Sequence, residues 1–236
     1  MKMNSLEKIL IDADFERTNL PWSKPIVVHG VPGSGKTTVI DQLIKKDPAI
    51  SAISGGASIH NFDGSAIHKR GKEYIGNVKV IDEYPIFSDP LIDNSDIIFC
   101  DPFQHNGSTR KAHFISFKTK RFGSETCTLL KKFNLNIKSQ KVDKVVFGCC
   151  YEEDPEGQIL AFEKDICNLL DRHRVEYKSP ESILGSNCDK VTFYTSKEQL
   201  IREDPDFWRF YICMTRHRDQ LKILSPNASF TASRSF

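Results

Sequence analysis

No stretch of this 236-residue chain approaches the roughly 18 consecutive apolar residues that a membrane-spanning helix requires. The opening MKMNSLEKIL has an apolar run too short for a secretory signal, and Asp12, Asp14 and Glu16 follow at once. The expectation is therefore a chain with neither a signal peptide nor a membrane span. An excess of charge is missing too: 33 Lys and Arg against 31 Asp and Glu leave a net charge of +2. With 27% charged and 39% hydrophobic residues, the chain is neither an acidic disordered tail nor a histone-like polycation. Its seven cysteines include no C-x-x-C pair and no Cys/His ligand set. Adjacent Cys149 and Cys150 suit neither an ordinary disulfide nor zinc. A reduced, cytosolic-type compartment is expected, and the sequons at Asn106 and Asn227 read as chance matches.

What is present is an alternation of short β-type runs with helical stretches, without a short fixed-period repeat. Candidate strands are Pro25–His29, Val78–Asp82, Asp96–Cys100, Ala112–Phe117, Lys144–Gly148, Lys190–Thr195 and Leu221–Leu224. Most are nearly continuous apolar runs, as buried parallel strands should be. Helices are expected over Lys36–Lys46, Ser124–Phe133, Gln158–His173 and Asp206–Thr215. That order predicts an α/β fold with parallel sheets. The polar break His105–Arg110 is the expected boundary between domains 1–110 and 111–236, and the Ser-rich end from Asn227 reads as a frayed tail.

The sharpest local signal is Gly30-Val31-Pro32-Gly33-Ser34-Gly35-Lys36-Thr37, which fills every fixed position of G-x-x-x-x-G-K-[ST]. A strand precedes it and a helix follows, as a P-loop nucleotide-triphosphatase needs. Glycines let backbone N–H groups close around phosphate oxygens, and the helix N-terminus adds partial positive charge. Lys36 is the candidate for the β- and γ-phosphates of ATP, Thr37 for Mg²⁺, and Thr38 extends the nucleotide-binding set.

Such a loop needs a carboxylate to hold the metal. Asp82 and Glu83 stand at the end of the apolar strand Val78–Asp82. Asp82 is the expected second Mg²⁺ residue, and Glu83 the group that orients or deprotonates the attacking water. A second strand end carries Cys100-Asp101-Pro102-Phe103-Gln104, where the Gln104 amide can contact a γ-phosphate or its water.

These pieces, in this order, resemble motifs I, II and III of the superfamily 1 RNA helicases of plus-strand RNA viruses. Lys120-Arg121-Phe122-Gly123 resembles their motif IV, Lys190–Thr195 motif V, and Thr215-Arg216-His217-Arg218 motif VI. The six motifs run from about Pro25 to about Leu224. Two departures stand out: Cys100 replaces the usual Gly of motif III, and Leu184-Gly185-Ser186 stands well before the motif V strand. The small size and Arg17-Thr18-Asn19 look like the first protein of the triple gene block of filamentous plant viruses.

The resemblance implies two RecA-like lobes, the first carrying motifs I–III and the second motifs IV–VI, with ATP between them. It implies an Mg²⁺-dependent ATPase and RNA helicase, with Arg121 and Arg216 as catalytic arginines and Asp101 and Arg218 in the nucleotide-binding set. Which arginine meets which phosphate stays open. Single-stranded RNA, viral movement proteins, coat protein and a second copy of the chain are the implied partners. Host cytoplasm and plasmodesmata are the implied locations, and cell-to-cell movement and suppression of RNA silencing the implied roles. Basic residues from Lys111 to Lys132 suit RNA phosphates, while Phe114 and Phe117 among them are expected in the core. Two alternatives remain at this stage: an RNA-binding suppressor module with a nucleotide switch, and a P-loop kinase for a small molecule.

Overall fold

In the computed structural model, residues 3–56, 59–60, 66–69, 77–227 and 231–232 are described. The Ser-rich end from Asn227 therefore lies mostly outside the described residues. The chain divides into two units, Met1–Lys118 and Thr119–Phe236.

In the first unit, the apolar runs pair into one sheet. Its order is Glu16–Arg17, Phe114–Ser116, Ile26–Gly30, Ile97–Cys100, Val78–Asp82, Ile50–Ser54, Ala66–Lys69 and Ile59–His60. Pairing is parallel throughout except for the outermost strand at each edge. Both faces of the central strands are buried, which is why these strands read as unbroken apolar runs rather than alternating ones. Val28, Val80 and Phe99 pack with Leu6 and Leu10 of the helix Met3–Asp12 and with Val39, Ile40 and Leu43 of the helix Lys36–Lys46. Their strand neighbours Val27, Ile81 and Ile98 pack elsewhere, with Tyr84, Phe87 and Ile92. Helix Lys36–Lys46 buries one stripe at i, i+3, i+4 and i+7: Lys36, Val39, Ile40 and Leu43.

The first unit runs on to Lys118, past the boundary expected near residue 110. Phe114–Ser116 pairs with Val28–Gly30 and so belongs to the first sheet. Within His105–Arg110, Arg110 donates to Asp93 Oδ1 at 2.6 Å, and its amide donates to the Tyr84 hydroxyl at 2.8 Å.

The second unit holds a four-stranded parallel sheet in the order Lys144–Cys149, His217–Ser225, Cys188–Tyr194, Gln158–Leu160. One expectation fails here. Gln158–His173 is not a single helix; Gln158–Leu160 is a strand beside Val191–Phe193, and the helix is Lys164–Arg172. Gly157 is the reason for the change of course. Its φ is +71°, and a Cβ there would lie 2.3 Å from the Lys190 carbonyl oxygen, so only glycine brings this chain against the sheet. Helix Phe207–Met214 is mostly buried, and Phe210 meets Phe162 edge-on at 4.8 Å. Among the described residues, no helix is long and apolar enough to cross a membrane.

Candidate functional site

The loop after strand Ile26–Gly30 is shaped by its glycines. A Cβ on Gly30 would lie 2.4 Å from Ser34 Oγ and 3.0 Å from the Phe15 ring. Gly33 and Gly35 have φ of +77° and +95°, a left-handed backbone that strains other residues. Gly35 caps the helix that starts at Lys36. Lys36 is itself buried, and its Nζ donates to the Gly30 carbonyl at 2.7 Å. Val31, Pro32 and Ser34 are also buried, Thr37 is half-buried, and Thr38 is exposed. Ser34 Oγ is sealed from solvent and makes no hydrogen bond among the described residues. Left-handed glycines followed at once by a helix N-terminus are the backbone geometry that suits an oxyanion.

Asp82 ends the strand Val78–Asp82, in register between Ser54 and Phe99. Burial, reinforced by the neighbouring Glu83 carboxylate, pushes its carboxyl up to about 7. Lys36, the Glu83 amide and His105 act in the opposite direction. The Glu83 amide donates to Asp82 Oδ1 at 3.1 Å. Glu83 itself has a φ of +55°, a left-handed conformation uncommon for a residue with a Cβ. Among the described residues, no group of three or more His, Cys, Asp or Glu could hold a metal ion. Thr37 and Asp82 still fit Mg²⁺, because that ion takes one or two hard protein oxygens and completes its shell with phosphate and water.

The third strand end is just as tightly built. Asp101 is fully enclosed, accepting from the Phe103 amide at 3.0 Å and from Gln104 Nε2 at 2.8 Å. Burial raises the Asp101 carboxyl, with Lys36 the leading opposing influence. Lys36 therefore acts on Asp82 and Asp101 alike, so the structure brings together the ends of three strands that lie apart in sequence. Cys100, in place of glycine, fills space beside Val27, Ile81 and Ile98. The next residue was missed in the sequence. His105, read there as part of a polar break, places Nε2 2.9 Å from Glu83 Oε2, with both side chains largely buried.

In the second unit, Arg121 Nη1 donates to the Thr215 carbonyl at 3.3 Å. Arg216 is buried, and its Nη1 lies 3.4 Å from the Ser186 carbonyl. The displaced Leu184-Gly185-Ser186 thus ends against the motif VI arginine. Arg218 is exposed, 3.7 Å from Asp189. Next in sequence to Arg216, His217 forms with Asp143 a wholly buried pair that sequence reading missed. Thr126 Oγ1 lies 3.0 Å from the same His217 Nε2 that meets Asp143. A nucleophile relay needs the two ring nitrogens to serve different partners, so this trio is a structural knot. Phe114 is in the core as expected, whereas Phe117 is 45% exposed and is not. Phe117 falls between the strands Phe114–Ser116 and Lys118–Thr119, and Lys118 beside it is exposed as well.

The profile of the viral superfamily 1 RNA helicase core domain matches residues 26–225. The chain is similar to the movement and silencing protein TGBp1 of Lily virus X, 39% identical over 212 residues, covering 89% of this chain and 95% of that protein. The TGBp1 of Apple stem pitting virus is 38% identical over 232 residues, covering 94% and 100%. Among solved structures, the arterivirus nonstructural protein 10 helicase aligns with a TM-score of 0.57 at 18% identity, over 93% of this chain and 62% of that one. The same helicase in complex with DNA aligns with a TM-score of 0.59 at 18% identity, over 95% and 64%. This chain therefore spans less than two thirds of those helicases. At that identity the likeness shows the fold alone, an α/β helicase architecture with mostly parallel sheets.

Proposed function

The chain belongs to the viral superfamily 1 RNA helicases and, among them, to the TGBp1 movement and silencing proteins; from that membership we propose that it is an Mg²⁺-dependent ATPase that binds and unwinds RNA. The observation that supports this most is that the strands ending at Gly30, Cys100 and Asp82 are neighbours in one sheet, with the charge of Lys36 acting on both Asp82 and Asp101. Three motifs spread from Gly30 to Gln104 thus have buried charged groups at neighbouring strand ends.

In this reading, the backbone N–H groups of Gly33 and Gly35 face the phosphates, Gly30, Val31, Pro32 and Ser34 shape the loop around them, and Lys36 neutralises them. Thr37 and Asp82 would hold Mg²⁺, which when bound supplies positive charge to the phosphate oxygens. Glu83 takes the proton of the attacking water, and the Gln104 amide orients that water. Arg121 and Arg216 supply charge for the transferred phosphoryl group, with Arg218 in support. Single-stranded RNA, other viral movement proteins and coat protein are the partners this reading assigns. The relatives' names support a part in movement and silencing; host cytoplasm and plasmodesmata are the locations this reading assigns.

The test is Mg²⁺-dependent ATP hydrolysis with and without single-stranded RNA, for wild type and Lys36→Ala in parallel. The expected result is RNA-stimulated turnover that falls by about 10²-fold or more in the variant. A Lys36→Ala protein with full turnover would overturn the assignment.

A further inference from the structure

Glu83 is an unusual residue to find so constrained. It follows a buried strand, adopts φ +55°, and keeps its carboxylate mostly out of solvent. Its amide is spent on Asp82 Oδ1. A carboxylate is an acceptor only, so the group at 2.9 Å must donate. That group is His105 Nε2, and it therefore carries a proton towards Glu83 Oε2.

The position of His105 follows from the turn before it. Pro102–Gln104 forms a short 3-10 turn held by two bonds to the Asp101 carboxylate, one from Phe103 and one from Gln104. The chain leaves this turn extended at His105, with φ −135°. The imidazole is thereby returned to the strand end that bears Asp82 and Glu83. Gln104 and Glu83 are thus joined through the residue adjacent to Gln104, in a pocket dry enough for the pair to be stronger than a surface one.

We infer that His105 is a positioning residue for Glu83, holding Oε2 through Nε2–H so that Oε1 is the oxygen that takes the proton of the attacking water. This rests on the ATPase reading above. The bond selects one rotamer of a flexible carboxylate and braces its left-handed backbone. A general base displaced by about 1 Å loses up to about 10²-fold in rate without any loss of ground-state binding. His105 touches neither phosphate nor water in this assignment; it acts only through Glu83.

The test compares wild type, His105→Leu and His105→Gln. Leucine keeps bulk and removes the donor, whereas the glutamine amide can restore an N–H near the Nε2 position. The measurements are kcat and KM for RNA-stimulated ATP hydrolysis, affinity for a fluorescent N-methylanthraniloyl-ADP, and melting temperature. The expected result is a kcat about tenfold lower in His105→Leu, with KM, analogue affinity and melting temperature held, and recovery to within about threefold in His105→Gln. An active wild type with an equally active His105→Leu overturns the positioning role and leaves the ATPase reading standing. Joint loss of kcat, analogue affinity and melting temperature in both variants overturns it in favour of a purely structural contact. A wild type that binds the analogue without turning over ATP overturns the ATPase reading, and this inference with it.

Discussion

Asp143 Oδ2 lies 3.0 Å from His217 Nε2, and neither side chain is reached by solvent. The other oxygen of Asp143 accepts from the Glu125 amide at 2.9 Å, at the first turn of the helix Ser124–Lys131. One carboxylate therefore binds a helix N-terminus to the segment that carries Arg216. Gly123 makes this possible, because a Cβ there would lie 2.3 Å from the Asp143 amide nitrogen.

This pair makes stability depend on acid. Burial by itself would raise the Asp143 carboxyl, but bonds from His217, Thr126 and the Gly123 backbone outweigh it and hold the group well below the usual carboxylate range. An unfolded Asp titrates near about 3.9. The contribution is therefore complete above that pH and is lost as the pH falls towards the lower folded value. Asp143→Asn should be less stable than wild type by about 2–3 kcal/mol at neutral pH. Its melting temperature should also fall less steeply than that of wild type between about pH 5 and pH 2. Parallel slopes in thermal melts would show that another group carries the acid response.

Gly35→Ala tests the glycine loop without adding a clash, since among the described residues no atom beyond its chain neighbours lies within 4 Å of the new Cβ. The cost is conformational, about 1–2 kcal/mol for an L-residue held left-handed. The expected outcome in titrations with N-methylanthraniloyl-ADP is about tenfold weaker binding as the loop relaxes. Unchanged affinity would mean that the left-handed turn is not needed for nucleotide binding.

Phe99 is fully enclosed between the layers of the first unit, beside Val28, Val80 and Phe114. Phe99→Ala should cost about 3–5 kcal/mol, read as a lower urea midpoint with an unchanged slope. A loss under about 1 kcal/mol would mean that the surrounding core collapses into the space.

Arg216→Lys keeps the charge but removes the planar group whose Nη1 reaches the Ser186 carbonyl. Lysine is a point charge on a flexible stem and cannot reproduce that geometry. Turnover should fall by about 10²-fold or more, with N-methylanthraniloyl-ADP binding retained. Wild-type turnover in this variant would remove Arg216 from the catalytic set.

The P-loop was legible because its chemistry is local. Gly33 and Gly35 need left-handed backbone, Lys36 starts a helix, and all of this happens within eight consecutive residues. Asp82, Asp101 and Gln104 were legible because they follow apolar strand runs, and strand ends in a parallel sheet gather at one edge. The helix Met3–Asp12 and the strand Ile50–Ser54 were not expected at all. Met3–Asp12 mixes three charged residues with its apolar stripe, and Ile50–Ser54 alternates with serines, so neither stands out as a run.

By itself, the order of residues determined the α/β class, the glycine loop and the acidic strand ends beside it. Those depend on backbone conformations and apolar runs set by near neighbours. Tertiary structure alone decided that Gln158–Leu160 is a strand, because its partner Val191–Phe193 lies 33 residues away. It decided that His105 meets Glu83, that Asp143 meets His217, and that Arg216 reaches Ser186. Each of these contacts joins residues more than 20 positions apart, so its existence depends on sheet register and crossover packing, which no local pattern encodes.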